Sequence, residues 1–251
     1  MYERLRKILP ILVGIMAVIF AVLYWVFGRQ YGVAYQDTLY LPTTQGETVT
    51  YTGKADGQTA SFTVEPGGAV TYRWGDAVYG PYLVQEDPTA VPQEWKGMLT
   101  GVEVRLGDEI LFRGGYFLSQ GPILIQSDGQ TYSAPLINFT VNGVTYGADG
   151  EPVDPGQPDL SGILLFSGKP EADDHRGNLQ FFAIGTFAAA VCIVTALFAD
   201  QLFRFNLSFQ IKNPDDAEPS EWEITSRVLG WLVLTALSFG TYLAGLLTIS
   251  S

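Results

Sequence analysis

LQFFAIGTFAAAVCIVTALFA, residues 179–199, and VLGWLVLTALSFGTYLAGLLTI, residues 228–249, contain no Asp, Glu, Lys, Arg or His. A bilayer core about 30 Å thick is crossed by about 20 apolar residues, because an α-helix rises about 1.5 Å per residue. Each run is long enough, and buried helices of soluble proteins seldom stay uncharged over such a length. Both runs are therefore read as transmembrane helices. Small residues recur four apart, Gly185 with Ala189 and either Gly240 with Ala244 or Thr241 with Gly245. Such spacing lets two backbones approach closely in lipid. The stretch 179–249 is thus expected to form an antiparallel hairpin, and a surface through which a membrane protein partner is a candidate.

The connecting loop, residues 200–227, reads DQLFRFNLSFQIKNPDDAEPSEWEITSR. From Phe203 to Ile211 apolar and polar residues alternate strictly. That pattern predicts an extended segment, with a continuation of the preceding helix as the alternative. Asn213-Pro214 signals a turn. Ser220 followed by Glu223 is a capping-box spacing, so the last helix is expected to start near Glu221. Asn213, Pro214, Glu218, Pro219, Ser220 and Arg227 are the candidate partner-contacting residues of this loop.

A third apolar run, Ile8–Phe27, follows Arg4, Arg6 and Lys7 and ends in Tyr24 and Trp25, residues suited to a membrane–water interface. It exceeds the usual apolar core of a signal peptide, which favours an uncleaved anchor. Placing the N-terminus inside puts Arg4, Arg6, Lys7, Arg204, Lys212 and Arg227 on the cytoplasmic side, as the positive-inside preference asks. The expected location is the cell membrane. Residues 1–29 would form a cytoplasmic tail and anchor, and 30–178 would lie outside the cytoplasm. The hairpin 179–251 would carry a cytoplasmic loop and an outer C-terminus. The lipid bilayer is the first partner.

The formal net charge is −12 and is not evenly spread. Between Gln30 and Arg176 stand 19 Asp and Glu against 7 Lys and Arg, while the rest of the chain balances. A domain this acidic is repelled by polyanions, so nucleic acid is not an expected partner. The lone cysteine, Cys192, rules out a disulfide framework.

Residues 30–168 read as strands. Val, Thr, Tyr and Phe alternate with polar residues, and Gly, Pro, Asp and Asn punctuate them. Expected strands are Thr48–Thr52, Ser61–Val64, Ala69–Trp74, Val102–Leu106, Glu109–Arg113, Ile137–Val141, Val144–Tyr146 and Ile163–Phe166. Asn142-Gly143 suits a type I′ hairpin turn. No helix of ten residues or more is expected. The fold class is therefore an α+β membrane protein: three transmembrane helices and an extracytoplasmic antiparallel all-β domain, a sandwich or open barrel of seven to nine strands. Residues 169–178 form a linker.

Two stretches carry a resemblance. Asp76–Trp95 with Leu99–Tyr116 resembles an outer segment of uncharacterised membrane proteins of Gram-positive bacteria. Asn213–Ile224 (NPDDAEPSEWEI), followed by Arg227, Gly230 and an apolar span, is similar to the Asn-Pro…Ala-Glu-Pro-Ser signature of a bacterial membrane family of unknown function. The resemblance implies an integral bacterial membrane protein and assigns no catalytic residue.

Chemistry is sparse. The only histidine, His175, lies in the linker, so a histidine-based triad has no framework and zinc lacks ligands. Gly67-Gly68 and Gly114-Gly115 lack the Lys-Ser/Thr of a phosphate loop. Asp149, Glu151 and Asp154 are candidate ligands for a hard cation, although their spacing is not that of an EF-hand. Acidic pairs drawn from these and from Glu86, Asp87, Glu94, Asp108 and Glu109 are candidates for glycan cleavage. Trp74, Tyr79, Tyr82, Trp95 and Tyr116 are candidate ligand-binding aromatics for an extracellular ligand or a cell-wall component, and strand aromatics also fill cores. No cofactor is expected. The leading expectation is a non-enzymatic envelope binding or interaction module. A carboxylate-dependent cell-wall glycan hydrolase and an accessory subunit of a membrane transport or signalling complex are the alternatives.

Overall fold

The structure, a computed structural model, describes residues 2–118, 123–132, 139–141, 144–146, 154 and 156–250. Helix α1 (Tyr2–Phe27) comes first. Nine strands follow: β1 (Tyr31–Tyr35), β2 (Thr38–Gln45), β3 (Thr48–Ala55), β4 (Gln58–Val64), β5 (Ala69–Trp74), β6 (Ala77–Glu86), β7 (Thr100–Leu106), β8 (Glu109–Phe117) and β9 (Ile123–Gln126). A short ladder, β10 (Phe139–Val141) and β11 (Val144–Tyr146), precedes helix α2 (Leu160–Ser167). Strand β12 (Asp174–Arg176), helices α3 (Leu179–Leu197), α4 (Ala199–Ser208) and α5 (Glu221–Leu247), and strand β13 (Ile249–Ser250) complete the chain. Contacts divide it into two units, Gly32–Asp173 and Met1–Tyr31 with Asp174–Ser251.

In the β unit, β1 to β9 pair antiparallel, each with the next strand in sequence. The sheet is a single open meander. The nine strands form neither the expected two-sheet sandwich nor a barrel, because among themselves they pair only with neighbours in sequence within one open sheet and β1 and β9 are not paired with each other. One face is apolar by period-two alternation. Tyr51, Phe62, Tyr72 and Tyr79 stand opposite one another across β3 to β6 and form a ladder of rings on that face.

The apolar face is filled by α2. Ile163–Phe166 was expected as a strand and is helical instead. Four consecutive apolar residues do not distinguish the two, and the deciding signal is the cap before them. The Asp159 carboxylate accepts the Gly162 amide at 2.7 Å and starts the helix. Ile163, Leu164 and Phe166 are fully buried. The Phe166 ring stacks on Phe62 at 4.2 Å between centroids and also meets Tyr40 at 5.2 Å and Tyr51 at 4.9 Å. Asn142-Gly143 lies outside the described residues.

The second unit has three helices long and apolar enough to cross a membrane, α1, α3 and α5. Helix α3, with 19 residues, spans about 28 Å. On α3, Gly185 lies against Tyr242 and Thr241, and its carbonyl accepts the buried Ser238 hydroxyl at 2.8 Å. Gly245 of α5 lies against Phe181. The small-residue contacts therefore run through Gly185, Thr241 and Gly245, while Gly240 has open space beside it. Helix α1 completes the bundle, burying Leu9, Val13, Phe20 and Tyr24. Its opposite face, with Ile8, Ile11, Ile15, Val18 and Val22, is more than half exposed.

One end of this bundle holds a charged cluster. Arg6 pairs with Asp200 at 2.5 Å, and Arg227 pairs with Glu223 at 2.9 Å and Asp200 at 3.6 Å. Tyr2 stacks on Trp231 and accepts from Arg227 at 3.2 Å. Of the segment Phe203–Ile211, Phe203–Ser208 lie in helix α4, which is the helical alternative and not the extended segment expected first. Leu202, Phe205 and Phe209 recur at helical spacing, and all three are exposed on one face.

Phe166→Ala is expected to cost about 3–5 kcal/mol, the usual range for emptying an aromatic core position. Denaturant unfolding of the full chain in detergent micelles, followed by near-ultraviolet circular dichroism, checks it. A loss under about 1 kcal/mol would show that the ring is not the centre of this core.

Candidate functional site

A cavity of about 790 Å³ opens in the β unit between the apolar sheet face and α2. Strand alternation supplies its wall. Tyr40 comes from β2, Phe62 from β4, Tyr72 and Trp74 from β5, and Tyr82 from β6. Lys54 and Arg73 neighbour the lining residues Ala55 and Trp74 and take the other face by the same alternation. Leu160 and Ile163 of α2 contribute the helical side.

Tyr79 and Tyr82, three apart, both come toward the apolar face because the ladder is irregular there. Tyr79 is opposite Tyr72 and Tyr82 is opposite Val70, so the β6 strand carries an extra residue. Gly80 sits in that irregularity with φ +104, and a Cβ there would lie 2.9 Å from the Val70 carbonyl oxygen. Only glycine fits both conditions.

Polar groups gather at the mouth. Asp56 occupies the β3–β4 turn with φ +50, and Asp154 is exposed. Asp159 is half-buried and accepts the Tyr35 hydroxyl, the Gly162 amide and the Gln36 side-chain amide at 3.0 Å. Gln36 and Asp37 both have positive φ, 45° and 58°, so β1 and β2 are joined by a left-handed turn made without glycine. Asp154 accepts the Tyr79 hydroxyl at 2.7 Å and the Gly156 amide at 2.9 Å. Gly156 lies against the Trp74 ring, where a Cβ would sit 2.6 Å away.

Burial dominates the phenols of the floor. It pushes the Tyr40 and Tyr72 hydroxyls up, and the carboxylates of Asp56 and Asp159 push both further. Tyr35 is raised by burial and then by Asp159. Tyr79 is pushed up to about 12, first by its hydrogen bond to Asp154. Among the described residues the lining holds three carboxylates, Asp56, Asp154 and Asp159, and no Lys, Arg or His.

Of the aromatics singled out from sequence, Trp74 and Tyr82 line this cavity and Tyr79 joins it through Asp154. Trp95 does not. It sits in a short 3-10 turn, Gln93–Trp95, whose carbonyl accepts the Leu99 amide at 3.3 Å. Tyr116 on β8 packs against the core, and burial raises its phenol. Asp149 and Glu151 lie outside the described residues. Asp87 is engaged with Thr89 and with Arg113, whose guanidinium stands 2.7 Å away, and these hold its carboxyl below the usual range. Tyr35, Tyr40 and Asp56 are not singled out by the sequence, and Asp159 only as the end of the acidic stretch 149–159 considered for a hard cation. Asp159 alone carried a legible signal, a capping residue directly before an apolar run.

In the loop of the helical unit, Asn213 precedes a 3-10 turn, Pro214–Asp216. Glu218 is exposed and Pro219 half-buried. Ser220 caps α5 by accepting the Glu223 amide at 3.2 Å. The Glu223 side chain does not reach back to Ser220 and pairs instead with Arg227.

A model of a family of unknown function, DUF6199, matches residues 184–247, about a quarter of the chain, spanning most of α3, all of α4 and α5, and the Asn213–Ser220 loop. No curated protein and no solved structure matches the chain.

Tyr79 should titrate late. Its folded pKa lies above the unfolded value, so it holds its proton longer when folded, and its contribution to stability is present below pH about 10 and is lost as pH rises through about 12. The phenolate absorbance difference between the wild type and Tyr79→Phe is expected to have its midpoint near that value. In an Asp154→Ala background the midpoint should fall toward about 10.

Proposed function

We propose that this chain is a multi-pass bacterial membrane protein whose β unit, outside the cytoplasm, binds a small ligand in the aromatic cavity, with α1, α3 and α5 as its anchor. The cavity carries this reading. A concave pocket of several hundred Å³, whose lining mixes aromatic and aliphatic side chains with convergent polar groups, is a usual form of a ligand site. The exposed faces of the long helices are apolar over their spans, aliphatic with several aromatic rings, which suits lipid and not water. The cluster of Arg6, Asp200, Glu223 and Arg227 marks the bundle end that belongs in the cytoplasm under the positive-inside preference. Two of the carboxylates at the mouth, Asp159 and Asp154, are engaged in capping and in phenol contacts, which favours binding over hydrolysis.

A second role rests on a separate observation. Phe205, Phe209 and Trp222 expose 65%, 76% and 79% of their surfaces near the loop. Such aromatics suit a membrane protein partner and would make the chain an accessory subunit as well.

Two measurements test the main reading. In intact cells a membrane-impermeant maleimide should label Asp76→Cys at the β5–β6 turn, and should label Lys212→Cys only after permeabilisation. The reverse pattern would overturn the topology. In melts of the purified full chain against a panel of neutral, cationic and anionic small molecules, one class should raise the wild-type Tm by a few degrees. Ala55→Trp, which fills the cavity, should not respond. Equal responses of the two proteins would overturn the cavity as the site.

A further inference from the structure

The cavity's ligand class follows from its charge. We infer that the site formed by Tyr40, Tyr72 and Trp74 with Asp56, Asp154 and Asp159 takes an organic cation. This rests on the cavity being the binding site of the proposed function and deepens that reading.

The floor is apolar and aromatic, with Tyr40, Phe62, Tyr72 and Tyr82 all more than nine-tenths buried. The mouth is acidic. Asp56, Asp154 and Asp159 bring three negative charges to one rim, and no Lys, Arg or His among the described residues lines it to offset them. The field of these groups reaches the floor, since Asp56 and Asp159 both act on the Tyr40 and Tyr72 phenols. A low-dielectric wall with one sign of charge concentrates counter-ions. Trp74 and Tyr35, the lining rings that keep part of their surface accessible, attract the same ions through their quadrupoles.

A neutral saccharide would use the rings and the polar groups but would leave the rim charge uncompensated. An anion would be repelled. The Asp159 oxygens already accept three bonds from the chain, and Asp154 accepts two, so these groups supply potential more than free acceptors for sugar hydroxyls. At about 790 Å³ the cavity also admits ligands larger than a single ammonium group, with a flat or aliphatic body against the floor.

The test uses the purified full chain in detergent micelles, with Trp fluorescence and calorimetric titration as readouts. The probes are choline, its neutral tert-butyl isostere dimethylbutanol, and an N-acetylglucosamine oligomer. Choline is expected to bind at least about ten-fold more tightly than the isostere, a difference of about 1.4 kcal/mol. Its affinity should fall as salt rises. Asp56→Asn, an exposed turn substitution that leaves the fold intact, should weaken choline about three-fold and leave the isostere unchanged. Equal affinities for choline and the isostere, or no response to choline, would overturn the inference. Binding of the oligomer alone, abolished by Ala55→Trp, would also overturn it while leaving the cavity a binding site. Only a panel in which Ala55→Trp and the wild type respond alike reaches back to the proposed function itself.

Discussion

The Asp159 carboxylate ties three separate pieces of the β unit together. It accepts the Gly162 amide and so begins α2. It also accepts the Tyr35 hydroxyl at the end of β1 and the Gln36 amide in the turn that follows. An open antiparallel sheet has one face it must cover, and here the cover is a helix of only eight residues. So short a helix is marginal alone and depends on its cap and its packing. The cap fixes where Ile163, Leu164 and Phe166 enter the ring ladder. The left-handed turn at Gln36 and Asp37 lacks glycine, and its geometry is held by the same carboxylate.

The same constraint creates the cavity. Phe166 fills the middle of the apolar face against Tyr40, Tyr51 and Phe62. The helix is too short to cover the rest, and near the capped end a void remains beside the partly accessible rings of Tyr35 and Trp74, rimmed by Asp56, Asp154 and Asp159. The atoms of Asp159 that cap the helix are therefore also atoms that rim the cavity. Its charge satisfies a helix terminus and at the same time sets the sign of the pocket.

The apolar spans were plain from the sequence because twenty uncharged residues leave little choice. Strand positions such as Ala69–Trp74 and Val144–Tyr146 were equally plain, since alternation and turn residues agree there. The failures have physical causes. The β1–β2 hairpin turns on Gln36-Asp37, and neither residue announces a positive φ. Without that hairpin, Tyr35 and Tyr40 had no place in the site. Residues 203–211 satisfy period two and period 3.6 together, because Leu202, Phe205 and Phe209 also lie on one helical face. Helix α4 follows α3 directly, and continuing an existing helix avoids the cost of nucleating a new element. The Ile163–Phe166 run is apolar throughout and so carries no period at all.

The charged end of the helical unit shows the opposite economy. Arg227 is largely buried, yet its guanidinium meets Glu223, Asp200 and the Tyr2 hydroxyl, with Phe203 over its face at 4.9 Å. Arg6 from α1 also meets Asp200. Two cations and two carboxylates thus close on one another at the helix ends, where the cost of burying either alone would be several kcal/mol. The cluster joins α1, α4 and α5 without depositing net charge at the bundle end. In the cavity three carboxylates converge, with no cation among the described lining residues. The fold thus neutralises its charges where the helix ends meet and leaves them unbalanced where the cavity opens to solvent, so the negative potential of the β unit is concentrated at that rim.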